Sequence, residues 1–486
     1  MLFNSYEYMI FFLPVTLLVY FVLNRKKLTV AATAWLVFAS LFFYSWWNIK
    51  YLALIIGSII FNFAVGTALI RTGKTRQLGL SRKTILLLGI GIDVALLGYF
   101  KYTDFFITNI NLLTGWQINL QRIVLPLGIS FFTFTQIAYL VDAYQSRVRE
   151  YDFLRYSLFV TFFPHLLAGP IIHHKEMMPQ FADLKNRVIN YRNIAPGLYL
   201  FFIGLFKKIV IADALSPVVA VGFDKMHSLS LIEAWISSLS YTFQLYFDFS
   251  AYTDMALGAS LMFNIRLPFN FDSPYKSVNI AEFWRRWHMT LSRFLRDYIY
   301  IPLGGNRAGD LNTYRNLMIT FLIGGIWHGA GWTFVFWGFM HGIATVIHRM
   351  WTKINMKMPR FLAWFLTFNF VNIAWVFFRA KTWDDAVKVL KGMFGMSGVM
   401  LSKSAAKYAF LEKAGVTFGD LFFKGVNKNA IYIIFISFII ALVAHNSNQM
   451  AENFRPNRKT MAFTIVIAIY ALLSMNKVSE FLYFNF

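Results

Sequence analysis

The feature that most constrains this chain is a series of apolar runs, most of them close to the ~18–20 residues that carry a helix across a bilayer. Examples are residues 8–23, 30–47, 51–70, 84–100, 123–141, 361–378, 431–443 and 461–475. Only helices and closed barrels satisfy their own backbone in hydrocarbon, and continuous apolar runs of this length read as helices. With 58% hydrophobic and 14% charged residues among 486, the chain cannot supply the polar surface of a soluble body. An all-α polytopic integral membrane protein is expected, with roughly 11–13 transmembrane or re-entrant helices. No stretch outside the runs approaches the ~100 residues of an ordinary soluble domain, so residues 1–486 read as a single membrane domain. The first run lacks a positive n-region before it and a small-residue cleavage site, and reads as a retained helix.

Charge then orients the chain. The 46 Lys and Arg against 23 Asp and Glu give +23, which in a soluble protein would point to nucleic acid. In a membrane protein, basic residues collect in cytoplasmic loops. Arg25, Lys26 and Lys27 follow the first run; Arg71, Lys74, Arg76, Arg82 and Lys83 follow the third; the loop between carries only Lys50. That alternation places the N-terminus outside the cytoplasm, makes membrane lipid the expected neighbour of the charge, and leaves no role for nucleic acid. The chain has no cysteine, which excludes disulfides, thiolate-bound metals and a Cys-borne acyl intermediate.

Three regions differ in character. Residues 1–120 read as four plain apolar helices, with Asp93 an isolated and structural exception. Residues 123–350 thread helix breakers and polar groups through apolar sequence, among them Pro126, Gly128, Pro164, His165, Gly169, Pro170, Asp248 and Asp254. Broken backbone at membrane depth must be buried in protein or line a cavity, so this is the expected core, with 162–170 re-entrant. Asp248, Tyr252 and Asp254 are expected to hold the cavity together by hydrogen bonding. Residues 360–486 return to ordinary spans, with 380–429 expected as amphipathic helices lying on the bilayer. No repeat of fixed period marks the chain as an inverted-repeat transporter.

Chemistry concentrates in two segments. Residues 282–298, read as one helix, separate into an aromatic face (Phe283, Trp284, Trp287, Leu291, Phe294) and a face carrying Arg285, Arg286, Arg293 and Arg296, with His288 at the seam. The arginines suit snorkelling to headgroups or holding phosphates, and helix geometry leaves the two readings even. Forty residues on, His328 sits in Gly324-Gly325-Ile326-Trp327-His328-Gly329, where an apolar, glycine-rich setting makes an imidazole costly unless it is used. His341 and His348 read as structural. His173-His174 lacks the acidic companion of soluble acyltransferases; nucleophile elbows, phosphate loops and paired metal-ligand histidines are missing, and no metal site is expected.

Together these segments resemble the membrane-bound O-acyltransferases, and within them the bacterial alginate and peptidoglycan O-acetyltransferase subgroup. The resemblance rests on residues 125–134, Phe163-Pro164 with Ala168-Gly169-Pro170-Ile171, residues 246–256, Phe283-Trp284-Arg285-Arg286-Trp287-His288, Tyr300-Ile301-Pro302-Leu303-Gly304-Gly305-Asn306-Arg307, Trp327-His328-Gly329-Ala330 and Val376-Phe377-Phe378-Arg379-Ala380. One departure is Gln145 after Asp142-Ala143-Tyr144, where the pattern has arginine; Arg147 is the candidate substitute. The resemblance implies a helical bowl with a central funnel, His328 as the principal catalytic residue and His288 as the second. It implies acetyl-CoA as a donor substrate, with no permanently bound cofactor. Arg285, Arg286, Arg293, Arg296 and Arg307 are the candidates to hold the donor, and His288 or an amide near Gly304–Gly305 the candidate to donate to the oxyanion. It further implies a multi-pass protein of the bacterial inner membrane that hands acetyl to an extracytoplasmic SGNH or esterase-like partner acting on alginate or cell-wall polysaccharide. A D-alanyl or other acyl transferase of the same fold is the first alternative, and a transporter or flippase the second.

Overall fold

The computed structural model describes residues 1–71, 81–475 and 479–482. Lys74 and Arg76, part of the basic third loop, lie outside the described residues. Helices α1 (Glu7–Arg25), α2 (Thr29–Ser45), α3 (Lys50–Arg71) and α4 (Arg82–Thr114) form the N-terminal group, as the first four runs predict. Next come α5 (Ile129–Tyr144), α6 (Phe153–Thr161), α7 (His174–Ala182), α8 (Tyr191–Asp224) and α9 (Leu231–Met262). After these stand α10 (Ile280–Arg286), α11 (Met289–Leu295), α12 (Asp310–His328), α13 (Trp332–Lys353), α14 (Arg360–Arg379), α15 (Trp383–Met393), α16 (Ala430–Leu442), α17 (Ser447–Glu452) and α18 (Arg458–Leu473). Among the described residues, α1, α3, α4, α8 and α14 are long and apolar enough to cross a membrane, and α2 and α16 are shorter apolar helices.

The core is built around α9. Every residue from 240 to 260 is buried, and α9 packs against α8, α14, α15 and α16. Its carboxylates survive there because lysines of α8 meet them: Lys208 Nζ lies 2.7 Å from Asp248 and 2.9 Å from Asp213, and Lys207 Nζ lies 2.7 Å from Asp254. Ser447 donates to the second oxygen of Asp254 at 2.7 Å, and Tyr252 accepts from the Ala168 amide at 3.2 Å. These groups hold the core, as expected of them. Asp93 is likewise absorbed, accepting from Asn62 at 2.8 Å.

The irregular segment expected to be re-entrant is wholly internal. Residues 156–174 are all buried, with α6 ending at Thr161 and one further turn at Phe163–Leu166. The segment from 380 to 429 departs from the expected amphipathic helices. Only α15 fulfils that reading, burying Ala386, Val389 and Met393 on one side. Beyond it, Gly395 and Gly398 take positive φ and turn the chain into a strand, Val399–Ser402, paired in parallel with Val416–Gly419. Tight turns fix that course, and they carry no periodicity for a pattern argument to catch.

Candidate active site

The position of His328 is set by a close helix crossing. A Cβ on Gly325 would stand 2.5 Å from the Phe334 carbonyl, and one on Gly338 would stand 2.5 Å from the Phe321 carbonyl. Only glycine lets α12 and α13 approach this near, as small residues do between membrane helices. The crossing brings Trp337 of α13 edge-on to His328, ring centroids 5.1 Å apart, and Phe378 of α14 closes another side at 5.1 Å. His328 is the last residue of α12, and Gly329 follows in extended conformation, so the helix has no left-handed cap. Its terminal carbonyls would be orphans. Two adjacent residues of α4 take them: Tyr102 donates to the Ile326 carbonyl at 2.6 Å, and Lys101 Nζ donates to those of Trp327 and His328 at 2.5 and 3.1 Å.

His288 arrives by a different route. The single helix predicted over 282–298 is broken at this residue, which adopts a left-handed conformation (φ 44°, ψ 55°) between α10 and α11. A non-glycine residue there is strained and needs outside support. Asn270 gives it: its backbone carbonyl accepts from the Met289 amide at 3.0 Å, and its Oδ1 accepts from the Thr290 amide at 3.2 Å and hydroxyl at 2.7 Å. His288 Nδ1 lies 3.3 Å from the same Oδ1. Because the Thr290 amide can only donate, that Asn270 atom is the oxygen, and His288 Nδ1 carries the proton in the neutral ring. Its Nε2 then presents a lone pair. In that neutral tautomer His288 accepts at Nε2, and donating to an oxyanion takes the protonated ring.

The two histidines share one aromatic cage. Trp327 contacts both, its centroid 6.1 Å from His288 and 4.9 Å from His328, with Phe134 stacked on it at 5.2 Å. Phe249 meets His288 edge-on at 4.8 Å. His341, read as structural, accepts from Trp284 Nε1 at 3.2 Å. Asn270, Lys101 and Tyr102 were not legible as site residues, because they lie 18 and over 220 positions from the histidines they support.

The arginines do not form one free cationic face. The break at His288 divides them between two helices, and three are already paired: Arg286 with Glu282 at 3.0 Å, Arg293 with Glu176 at 3.0 Å, and Arg296 with its neighbour Asp297 at 2.7 Å. Arg285 and Arg307 are exposed and make no ion pair among the described residues. The Gly304 and Gly305 amides are spent on the Ile301 and Tyr300 carbonyls, each at 2.9 Å, in a turn where both glycines take positive φ. They are therefore not available to an oxyanion. His173 and His174 find acidic companions that sequence proximity hides: His173 Nδ1 is 3.7 Å from Asp142 and His174 Nε2 is 3.2 Å from Glu150. Arg147 reaches Asp142 at 3.7 Å, the place Gln145 leaves open. No group of three His, Cys, Asp or Glu side chains able to hold a metal occurs among the described residues.

An all-α, multi-pass membrane protein with two imidazoles enclosed beside a Trp-His-Gly turn is a membrane-embedded enzyme of the acyl-transfer kind. The chain belongs to the membrane-bound O-acyltransferase (MBOAT) family, whose model matches residues 17–382. It is 49% identical to a peptidoglycan O-acetyltransferase of Helicobacter pylori, across 100% of this chain and 98% of that protein. It is 39% identical to a probable alginate O-acetylase of Pseudomonas putida, across 83% of this chain and 82% of the relative. A teichoic acid D-alanyltransferase of Streptococcus thermophilus is 29% identical over 53% of this chain and 69% of its own. The protein is an O-acyltransferase, and the transporter alternative falls away.

Proposed function

We propose that this protein moves acetyl from cytoplasmic acetyl-CoA to an extracytoplasmic hydroxyl, on the way to peptidoglycan, in the inner membrane of a bacterium. The observation that carries the reading is the convergence of His288 and His328 in one aromatic cage from segments forty residues apart. Peptidoglycan is favoured over alginate because similarity to the peptidoglycan enzyme extends over the whole chain and is higher.

In this reading His328 is the general base. It takes the proton of the acceptor hydroxyl as that oxygen attacks the thioester carbon, the carbonyl pair moves to oxygen, and the C–S bond then breaks. The proton passes from the imidazolium to the departing coenzyme A thiolate. With no cysteine in the chain, direct transfer needs no thiol intermediate. His288 lines the same cage beside Trp327 and helps hold the reacting groups in place. Arg285 and Arg307, which lack ion-pair partners, are the first candidates for the coenzyme A phosphates, while Arg286, Arg293 and Arg296 must exchange carboxylates to join them. The acceptor is the hydroxyl of an SGNH or esterase-like partner that passes acetyl on, because the loops joining these helices hold no second catalytic domain among the described residues.

The second reading, D-alanyl transfer, rests on the more distant relative alone. Purified protein in vesicles, given labelled acetyl-CoA outside and a surrogate alcohol or the partner inside, separates the two. Acetyl ester formation with no transfer from a D-alanyl thioester supports the proposal. Transfer of D-alanine without acetyl transfer overturns it.

A further inference from the structure

Acyl transfer builds negative charge on the thioester oxygen, and a site enclosed in protein must aim a donor at it. The expected donors fail: the Gly304 and Gly305 amides are used in their own turn, and neutral His288 carries its proton on the Asn270 side. The cage contains another donor. Trp327 Nε1 is buried and has no hydrogen-bond acceptor among the described residues. A buried N–H left without a partner is costly, and in native proteins such groups call for a specific reason. Trp327 is 5% exposed, and its ring contacts both histidine rings. It is also unusually well held. Phe134 stacks on one face at 5.2 Å and Phe131 meets it edge-on at 5.5 Å. Lys101 fixes its backbone carbonyl and stands 5.9 Å from the ring centroid, where a cation draws electron density from the indole.

We infer that Trp327 is a catalytic residue whose indole N–H donates to the oxyanion of the tetrahedral intermediate, with Lys101 as its positioning residue. The inference rests on the acyl-transfer reading of the His288–His328 cage and adds the donor that reading lacks. As the hydroxyl oxygen bonds to the thioester carbon, the carbonyl π pair moves onto oxygen and is met by this N–H. As the pair returns and the C–S bond breaks, the hydrogen bond relaxes. No proton leaves the indole. Trp337 supplies an internal comparison, since its Nε1 is also buried without an acceptor among the described residues and its ring packs on His328 and His341.

The test replaces the N–H while keeping the ring. Trp327→β-(3-benzothienyl)alanine puts sulfur where the nitrogen was, and Trp327→Phe removes the donor with less bulk. Turnover of acetyl-CoA to a supplied alcohol is measured in the same vesicles, with His328→Ala and Trp337→Phe alongside. The expected result is a kcat about 10²–10³-fold lower in both Trp327 variants, with KM for acetyl-CoA unchanged. Trp337→Phe should lose clearly less kcat than either Trp327 variant, and Lys101→Arg should retain more activity than Lys101→Met. Wild-type kcat in the benzothienyl variant overturns the inference, as does an equal loss in Trp337→Phe. If His328→Ala keeps full turnover, the reading of the cage itself fails and this inference falls with it. A dead His328→Ala beside a fully active Trp327 variant removes the inference alone.

Discussion

Two buried polar clusters sit in this protein, and they are built on opposite principles. Along α8 and α9, Lys207 and Lys208 meet Asp248, Asp254 and Asp213 at 2.7–2.9 Å, and Ser447 and the Leu482 amide take remaining carboxylate oxygens at 2.7 and 2.8 Å. Around His328 the neighbours include the rings of Trp327, Trp337 and Phe378 and the carbonyl-bound Lys101. Saturation with charged partners costs conformational freedom and yields a fixed scaffold. An imidazole set among aromatic rings is held in place without being tied up as part of a saturated charge cluster. Intramembrane ionisable residues alone mark neither role; what surrounds them separates structure from chemistry.

The comparison breaks if the scaffold proves catalytic. Lys208→Met leaves Asp248 buried without its cation and should cost about 3–5 kcal/mol of stability, read as a lower unfolding temperature in detergent. The fraction that remains folded should turn over acetyl-CoA near the wild-type rate. Pairing it with Asp248→Leu should recover much of the stability, because it is the uncompensated charge that destabilises. A Lys208→Met protein that melts normally but is inactive would move this cluster into the chemistry.

A smaller effect sharpens the account of the cage. Asn270→Leu removes the oxygen that supports both the Thr290 amide and His288 Nδ1, so the left-handed turn loses its clamp. A misplacement near 1 Å costs up to about 10²-fold in rate, and a kcat loss of roughly 10–100-fold with little change in KM is expected. The smallest effects belong to the exposed cations. Arg285→Ala and Arg307→Ala should each raise KM for acetyl-CoA by about two- to fivefold, more at low salt, with kcat retained. Arg296→Ala, already engaged with Asp297, should do less.

How much of this was legible beforehand follows from what each feature depends on. The apolar runs are local, and α1 to α4, α14, α16 and α18 lie where the runs place them. Gly324-Gly325 beside His328 signalled a close approach, and the crossing with Gly338 supplies it. The helix over 282–298 misled because helical periodicity continues across His288, while the break depends on Asn270, eighteen residues earlier, which holds the turn through three bonds to Met289 and Thr290. The arginine face dissolved for a related reason: Glu176 and Asp272 reach it from other segments, and no pattern within 282–298 encodes them. The acidic companions of His173 and His174, at Asp142 and Glu150, were hidden in the same way.

The central claim is that the aromatic cage holding His288 and His328 performs acyl transfer. The most direct measurement compares His328→Ala and wild type in the same vesicles, following thioester consumption with a competent acceptor and unfolding temperature together. The account predicts turnover lower by ~10²–10⁴-fold with an unchanged unfolding temperature. Undiminished turnover in the folded variant would contradict it.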